Sequence, residues 1–457
     1  MSESLQTKAL GQTPILRLLW RFYIPALCST AMTALYNIVD RIFVGNFCGS
    51  QGLAAITICM SPALLFLAIS MLVGQGGATF VSICLGKKNV DLAEKAATQC
   101  LLFFILFCAA IFVAAIFFTR EIIWAFGARG EILEQATLYY RIILLGLIFE
   151  KISFGLNNII RAEGRPVYSM LTLFIGTICN IVLDWLFIAK FKWGIQGAAI
   201  ATVAAQAIAS LWVLRFYALK LGVLRLNLCN FKFTKNVVKK IAAFGSPSFV
   251  IQMLAALSTA VMLTQASKLG NAEGVAIIGV VMTANLLVFL PVLGMNMGAQ
   301  PIYGYNWGAK LYLRVKSAFK YTLFFTSIFS AAGFFVFFFF SKNVFEIFVS
   351  NEPLLVCKGA LAMKIMVLSF FLLGINISTS SFFQSTGRPK FSIFLTVLRQ
   401  LFVLVPLMIF LPAIFGGITG LWVAFPISDA VVAIYSIFIT LREFGMLNNL
   451  NKKLENS

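Results

Sequence analysis

The sequence TICNIVLDWLFIAKFKWGIQGAAIATVAAQ, from Thr177 to Gln206, places polar side chains inside two apolar segments. Asn180 and Asp184 are four residues apart in the first segment, so they share one face of a helix. Thr202 and Gln206 have the same spacing in the second segment. An ionisable group at membrane depth costs about 2.5 to 3.5 kcal/mol on insertion scales and by default marks an ion or substrate pathway. The stretch therefore predicts an ion or substrate site inside a membrane protein.

Composition places the whole chain in a membrane. Of its 457 residues, 60% are hydrophobic and 11% are charged, whereas soluble domains carry about 25% charged residues. A hydrocarbon core about 30 Å thick needs roughly 20 apolar residues for each helix, and every backbone polar group inside it must be hydrogen-bonded within the protein. Helices meet both conditions, so we predict an all-α polytopic membrane protein.

Twelve apolar runs are long enough to be transmembrane helices. Short polar or basic loops separate most of them. The predicted spans are residues 18–42, 53–80, 95–118, 138–159, 167–188, 195–219, 241–267, 275–300, 316–340, 361–384, 391–414 and 418–441.

An internal repeat relates the two sides of the polar loop at residues 222–240. A single constant shift places Gly52 on Gly274 and Gly76 on Gly298 without a gap. A shift that is longer by one position then places the tripeptide Gly-Arg-Pro at 164–166 on the same tripeptide at 387–389. Glycine and proline recurring at nearly one shift over a long stretch indicate a duplication.

The repeat predicts two bundles of six transmembrane helices. Because six is even, each half begins and ends on the same side of the membrane, and the halves are parallel repeats. Two such bundles facing a central cleft suit alternating access by rigid-body rocking. The predicted parts are an N-terminal tail (1–17), a first half (18–221), a linker (222–240), a second half (241–442) and a C-terminal tail (443–457).

The net charge of +20 reflects membrane topology and not nucleic-acid binding. Most Lys and Arg residues fall in the loops that lie inside the cell when both termini are cytoplasmic, as the positive-inside rule requires. The N-terminal sequence MSESLQTKALGQTP is too weakly basic for a secretory signal. We therefore expect a multi-pass protein of the inner (cytoplasmic) membrane with both termini in the cytoplasm and no nucleic-acid partner.

Residue types exclude several kinds of chemistry. The chain has no histidine, and its nine cysteines are scattered without a CxxC pair. This argues against a disulfide framework, a transition-metal site and His-dependent catalysis. We expect neither an enzyme nor a cofactor, and any proton chemistry must depend on carboxylates.

Two carboxylates of the first half belong to the predicted ion-coupling site. Asp40 lies near the end of the first span with Tyr36 on its helical face, and Asp184 lies in the fifth span. With Asn180 and Thr202 they offer hard oxygen ligands, which suit a proton or a small cation such as Na⁺. At the shifts given above, neither acid has an acidic counterpart in the second half. The expected coupling chemistry is therefore confined to the first half.

Other polar residues in the spans have two interpretations. Buried amides bond helices to one another as well as bind substrates. Glu150 with Lys151, and Asp429 with Arg399, are either structural ion pairs or functional groups, and the sequence leaves both open. The residues that we expect to line a substrate cavity are Tyr36, Asn37, Gln206, Gln252, Asn285 and Asn376.

Four motifs resemble those of the multidrug and toxic compound extrusion (MATE) family. They are GQGGATFVSICLGKK at 74–88, RAEGRPVYSM at 161–170, NIVLDWLFI at 180–188 and GAAIAT at 197–202. The resemblance covers nearly the whole chain and is greatest to the DinF-like branch. It implies antiport, in which protons or sodium ions enter as the substrate leaves. The cation site that it implies consists of Asp40, Asn180, Asp184, Ala198 through its backbone oxygen, and Thr202.

The function that we expect is export of an amphipathic, cationic organic compound, driven by H⁺ or Na⁺, by one chain acting as a monomer. The alternative is a flippase for a lipid-linked saccharide or peptidoglycan precursor. Similar flippases tend to have more spans and a basic central cavity, whereas this chain has twelve spans with few charges. The repeat of two halves disfavours a passive channel.

Overall fold

The computed structural model describes residues 5–226, 233–348 and 352–455, which are almost entirely helical. Eleven helices among them are long and apolar enough to cross a membrane. One of these, Lys235–Gly308, has 74 residues and contains a non-helical residue, Asn271, so it is two helices in succession. The described residues thus provide twelve apolar helices, and the predicted all-α fold is confirmed.

The first half of the chain contains helices α1 to α6. Helix α2 is 72 residues long and is interrupted at Gly49, so it holds the first two spans. A π-helical segment, Trp185–Lys190, continues α5. The bounds are Leu5–Gln12 (α1), Ile15–Gly86 (α2), Val90–Ala125 (α3), Gly130–Ala162 (α4), Pro166–Asp184 (α5) and Gly194–Ala218 (α6).

The second half contains helices α7 to α14. A 3₁₀ turn, Val367–Ser369, joins α10 to α11, and a π-helical segment, Leu398–Leu404, joins α12 to α13. Each of these pairs forms one span. The bounds are Lys235–Gly308 (α7), Tyr312–Phe339 (α8), Ser341–Phe348 (α9), Pro353–Met366 (α10), Phe370–Ser385 (α11), Pro389–Val397 (α12), Val405–Ile414 (α13) and Ile418–Glu455 (α14).

Backbone geometry repeats between the two halves. Gly49 and Asn271, where α2 and α7 break, have φ angles of 70° and 50°, and the shift that places Gly76 on Gly298 also relates these two residues. Lys88 and Lys310, related by the same shift, both have φ of 58°. Only glycine adopts this left-handed region without steric cost. The lysines and Asn271 therefore show that the surrounding structure imposes these turns.

Two compact units divide the chain. The first contains the described residues of 1–13 and 24–249, and the second contains those of 14–23 and 250–457. Each unit therefore includes the first turns of a long helix that continues in the other: the start of α7 belongs to the first unit, and the start of α2 to the second.

Close helix packing within each unit depends on paired glycines. In the first unit, a Cβ on Gly76 would collide with the carbonyl oxygen of Ile241 in α7. In the second unit, a Cβ on Gly298 would stand 3.0 Å from the backbone of Phe22 and Tyr23 in α2. These glycines occupy equivalent positions in the internal repeat, so both units use the same close approach of backbones.

A buried glutamate fastens the turn between α4 and α5. Glu163 is 1% exposed, and its carboxylate accepts hydrogen bonds from the backbone N–H groups of Val223 (2.8 Å) and Leu224 (3.2 Å). Its backbone oxygen accepts a 2.9 Å bond from Oγ1 of Thr7 in α1. Burial raises the pKa of Glu163 to about 7. Helix α1 and the residues that follow α6 are thus both hydrogen-bonded to Glu163, an ionisable residue in this turn.

Replacing Glu163 by Gln is expected to flatten the dependence of stability on pH. Burial raises the folded-state pKa from 4.5 to about 7. The protonated carboxyl therefore stabilises the fold fully below the unfolded-state pKa. About 3 kcal/mol of this stability is lost as the pH rises through the folded-state pKa. Glutamine keeps an acceptor for Val223 and Leu224 but does not titrate. Melting temperatures of the detergent-solubilised protein at about pH 5 and about pH 8 test this. Equal losses of stability between the two pH values in the wild type and the variant would contradict it.

Candidate functional site

Helices α5 and α6 position the first polar residues of the site. Asn180 and Asp184 lie one turn apart at the end of α5, and both are 0% exposed. Directly after Asp184 the chain enters the π-helical segment Trp185–Lys190, a wider turn that is frequent at functional sites. Gly197 lets α6 approach this segment, because a Cβ there would stand 3.1 Å from the carbonyl group of Phe187.

Helix α2 brings a second carboxylate to this set. Asp40 is 7% exposed, and it lies close enough to Asp184 for the two charges to repel. Tyr36, one turn before Asp40, has its phenol beside the hydroxyl of Thr202 and interacts electrostatically with both acids. Asn180 shares the α5 face of Asp184. The polar residues that the sequence singled out thus come from three helices to one buried place.

Several polar atoms of the acids and the amide have no hydrogen-bond partner among the described residues. In the described part of the chain, no partner exists for Asp40 Oδ1, for both carboxylate oxygens of Asp184, or for Oδ1 and Nδ2 of Asn180. Leaving a buried polar atom unpaired costs about 1 to 3 kcal/mol, and more for a charged group. Such atoms in a folded protein call for an explanation, of which a bound ion or proton is one.

The donor set suits a proton or Na⁺ better than a transition metal. Two carboxylates, an amide and a hydroxyl are hard oxygen donors, and the residues that the structure describes include no cluster of three or more His, Cys, Asp and Glu that can hold a metal ion. Ala198 is fully buried in the apolar core beside the site, in the same cluster as Ile188 and Tyr139. The role of its backbone oxygen stays a prediction.

Tyr139 is a neighbour of the acids that its sequence context did not reveal. It lies on α4, is 8% exposed, and interacts electrostatically with Asp40, Tyr36 and Asp184. The signal in the sequence is a phenol inside an apolar span, which is also common in ordinary helix packing. The position of Tyr139 near the acids depends on how α4 packs against α6. Residue spacing along one helix does not predict packing between helices.

The predicted cavity residues of the first unit differ in their surroundings. Tyr36 faces the acids, as described. Asn37 donates a 2.7 Å hydrogen bond from Nδ2 to the carbonyl oxygen of Thr33 in its own helix. Gln206 is half-buried, and its Oε1 has no partner among the described residues. A role in substrate binding stays a prediction for all three.

In the second unit, a charged network connects three segments. Arg399, in the π-helical segment between α12 and α13, donates from Nε to Asp429 Oδ1 at 2.6 Å and from Nη2 to Oδ2 at 3.2 Å. Asn376 of α11 donates to the backbone oxygen and Oδ1 of Asp429, at 3.1 and 3.3 Å. The ion pair is confirmed, and Asn376 is part of its network. Gln252 and Asn285 are half-buried in α7.

The other intramembrane pair is also formed. Lys151 Nζ lies 2.7 Å from Glu150 Oε1 on α4. The lysine is 2% exposed, whereas the glutamate side chain is 36% exposed. The adjacent ion pair that the sequence suggested is therefore confirmed. Its lysine is more deeply buried than its glutamate.

Comparison with a family model confirms the repeat. The MatE model matches the chain twice, at residues 25–186 and at residues 247–410. The matches begin at Pro25 and Pro247, which the shift that places Gly76 on Gly298 also superimposes. Together they cover more than half of the chain.

Curated relatives match over nearly the whole chain. The multidrug export protein MepA of Staphylococcus haemolyticus is 25% identical over 428 residues, which are 94% of each chain. MepA of Staphylococcus saprophyticus is 23% identical over 418 residues, 92% of each chain. The placement in the DinF-like branch stays a prediction.

Solved structures show the same fold. A MATE protein crystallised in a bent conformation has a TM-score of 0.91 at 23% identity, with 99% of each chain covered. An outward-facing multidrug resistance MATE family transporter has a TM-score of 0.90 at 23% identity, with 99% of this chain and 100% of the other covered. The predicted fold class, twelve transmembrane helices in two six-helix bundles related by a parallel repeat, is confirmed. The chain is a multi-pass membrane protein that belongs to the MatE family.

Proposed function

We propose that this protein is a secondary active multidrug exporter, which couples entry of H⁺ or Na⁺ to export of amphipathic, cationic organic compounds. Relatives named as multidrug export proteins match 92% and 94% of the chain. The observation that carries the coupling mechanism is the buried pair of acids, Asp40 and Asp184. Oδ1 of Asp40 and both carboxylate oxygens of Asp184 lack hydrogen-bond partners among the described residues.

Ion binding at this pair changes the forces between helices. Without an ion, the charges of Asp40 on α2 and Asp184 on α5 repel each other. A proton removes one charge and adds a hydrogen-bond donor, whereas Na⁺ attracts both carboxylates together with the oxygens of Asn180 and Thr202. Either ion therefore favours a closer approach of α2, α5 and α6.

Antiport follows when the ion and the substrate favour different states. A ligand shifts a conformational equilibrium only by its differential affinity for the two states. The bound ion stabilises the closely packed site, and the substrate stabilises the other state. Because the coupling is reciprocal, binding of the ion from outside weakens substrate binding and promotes its release outward.

The remaining assignments follow from this function. We place the protein in the cytoplasmic membrane of a bacterium with both termini inside the cell. One chain contains both halves, so a monomer suffices, and the coupling ion takes the place of a cofactor. The flippase alternative has no specific support in the described residues.

Transport by the purified protein in proteoliposomes tests the proposal. A fluorescent cationic dye is equilibrated across the membrane, and a pH gradient or a Na⁺ gradient is then imposed. We expect uphill dye movement against at least one of the two inward ion gradients, and its abolition by the matching ionophore. Dye movement that is the same without any gradient, or absent under both, would rule out coupled export.

A further inference from the structure

Glu150 and Lys151 form an ion pair whose geometry is unusual for a helix. Adjacent residues on a helix do not face each other, yet Lys151 Nζ lies 2.7 Å from Glu150 Oε1. Cys108 on α3 interacts electrostatically with both charges, and Tyr140 interacts with Glu150. Lys151 is the cation in direct contact with Glu150.

Electrostatic interactions connect the ion pair with the coupling site. Tyr139 and Glu150 are about three turns apart on α4, so they share one helix face. Tyr139 interacts with Asp40 and Asp184. Tyr36 interacts with these two acids and also with Glu150. Tyr36 thus links all three carboxylates electrostatically.

Glu150 is closer than Asp184 to the helix ends that meet at the α4–α5 turn. On α4 it lies roughly 18 Å from the Ala162 end, whereas Asp184 lies roughly 27 Å from the Pro166 end of α5. With the predicted orientation, this turn is cytoplasmic. Asp184 is 0% exposed, but the side chain of Glu150 is 36% exposed. Glu150 is therefore nearer than Asp184 to the predicted cytoplasmic helix ends, and it is the most exposed of the three carboxylates that interact with Tyr36.

We propose that Glu150 is the next acceptor of the coupling cation after Asp40 and Asp184, on its way to the cytoplasm, and that Lys151 is a positioning residue. The inference rests on the proposed function. When the coupling ion is H⁺, the proton leaves an aspartic acid, protonates the Glu150 carboxylate and then leaves for a cytoplasmic water. When it is Na⁺, the ion exchanges one carboxylate ligand for the next and no covalent bond changes. Lys151 holds the Glu150 carboxylate in position through their 2.7 Å ion pair.

The test compares two transport modes in proteoliposomes. Gradient-driven dye export needs release of the coupling ion on every cycle, whereas counterflow exchange of labelled for unlabelled dye needs only the substrate site to alternate. Glu150→Gln is expected to slow gradient-driven export by about tenfold or more and to leave counterflow within about twofold of the wild type. Glu150→Asp, which keeps a carboxylate, is expected to recover most of the rate.

Lys151 provides a readout that a purely structural pair would not move. Lys151→Gln is expected to slow gradient-driven export while counterflow stays within about twofold of the wild type, since Glu150 then loses the 2.7 Å contact that positions it. The double variant Glu150→Gln with Lys151→Gln, which has no unpaired charge, is expected to stay as slow as Glu150→Gln. Recovery of export in the double variant would show that the pair is structural and would overturn the proposal.

The outcomes also separate this inference from the proposed function. If Asp184→Asn loses gradient-driven export while Glu150→Gln keeps the wild-type rate, the coupling site is correct and the relay is wrong. If Asp184→Asn keeps the wild-type rate, the proposed function itself fails. Loss of counterflow together with export in Glu150→Gln would also overturn the relay, because the residue would then be needed for substrate movement.

Discussion

Asp184→Asn is expected to abolish export driven by an ion gradient while the protein stays folded. Asparagine has nearly the same shape as aspartate but holds neither a proton nor a negative charge at this position. The ion then binds the two conformational states equally. The ion gradient therefore no longer shifts the equilibrium between them and cannot drive export. We expect the rate of gradient-driven dye export in proteoliposomes to fall by about 100-fold.

Stability should distinguish this loss from misfolding. In the structure Asp184 is 0% exposed with both carboxylate oxygens unpaired in the described part of the chain, so removing its charge also removes a desolvation cost. The melting temperature of Asp184→Asn in detergent is therefore expected to equal or exceed that of the wild type. A lower melting temperature would mean that the carboxylate is satisfied by the fold and is not held for an ion.

A matched variant controls for the loss of one acid from this half. Asp91, in the first turn of α3, is exposed to solvent, and Asp91→Asn is expected to transport at the wild-type rate. Asp40→Asn is expected to behave like Asp184→Asn, since both carboxylates belong to the same buried pair. Full gradient-driven export by either buried-acid variant would refute the coupling site.

The sequence predicted the spans and the repeat because both depend on composition and on positions along the chain. The shift that places Gly76 on Gly298 also relates Gly49 and Asn271, where α2 and α7 break. Asn271 lies between the predicted spans 241–267 and 275–300, so the break between them was predicted. Its positive φ was not predicted, since the residue opposite Gly49 in the repeat is not a glycine. The π-helical segments after α5 and between α12 and α13 have no compositional signal.

The core of the candidate site was predicted from spacing within single helices. Asn180 and Asp184 are one turn apart, so their common face follows from helix geometry. The electrostatic interactions of Tyr139 with the acids and of Tyr36 with Glu150 depend on packing between helices. Residue spacing along one helix does not specify that packing. Asn37 shows that a shared helix face does not guarantee a role in the site. It lies on the helical face of Asp40, yet its amide donates a hydrogen bond within its own helix.

The second large effect is expected from the ion pair between Arg399 and Asp429. Arg399→Met leaves Asp429, whose side chain is 2% exposed, without its positive partner. Breaking a buried pair by removing one partner costs about 3 to 5 kcal/mol, because the remaining charge is uncompensated. We expect a marked drop in the melting temperature of the detergent-solubilised protein.

The double variant Arg399→Met with Asp429→Leu decides what the network is for. Replacing both charges with apolar residues of similar size is often neutral or stabilising, so the melting temperature should return to at least the wild-type value. If the bridge only holds α11, α14 and the π-helical segment together, gradient-driven export should return with it. Stability without export in the double variant would instead assign the charges of the second half to transport. That result would contradict the view that the coupling chemistry is confined to Asp40, Asp184 and their neighbours in the first half.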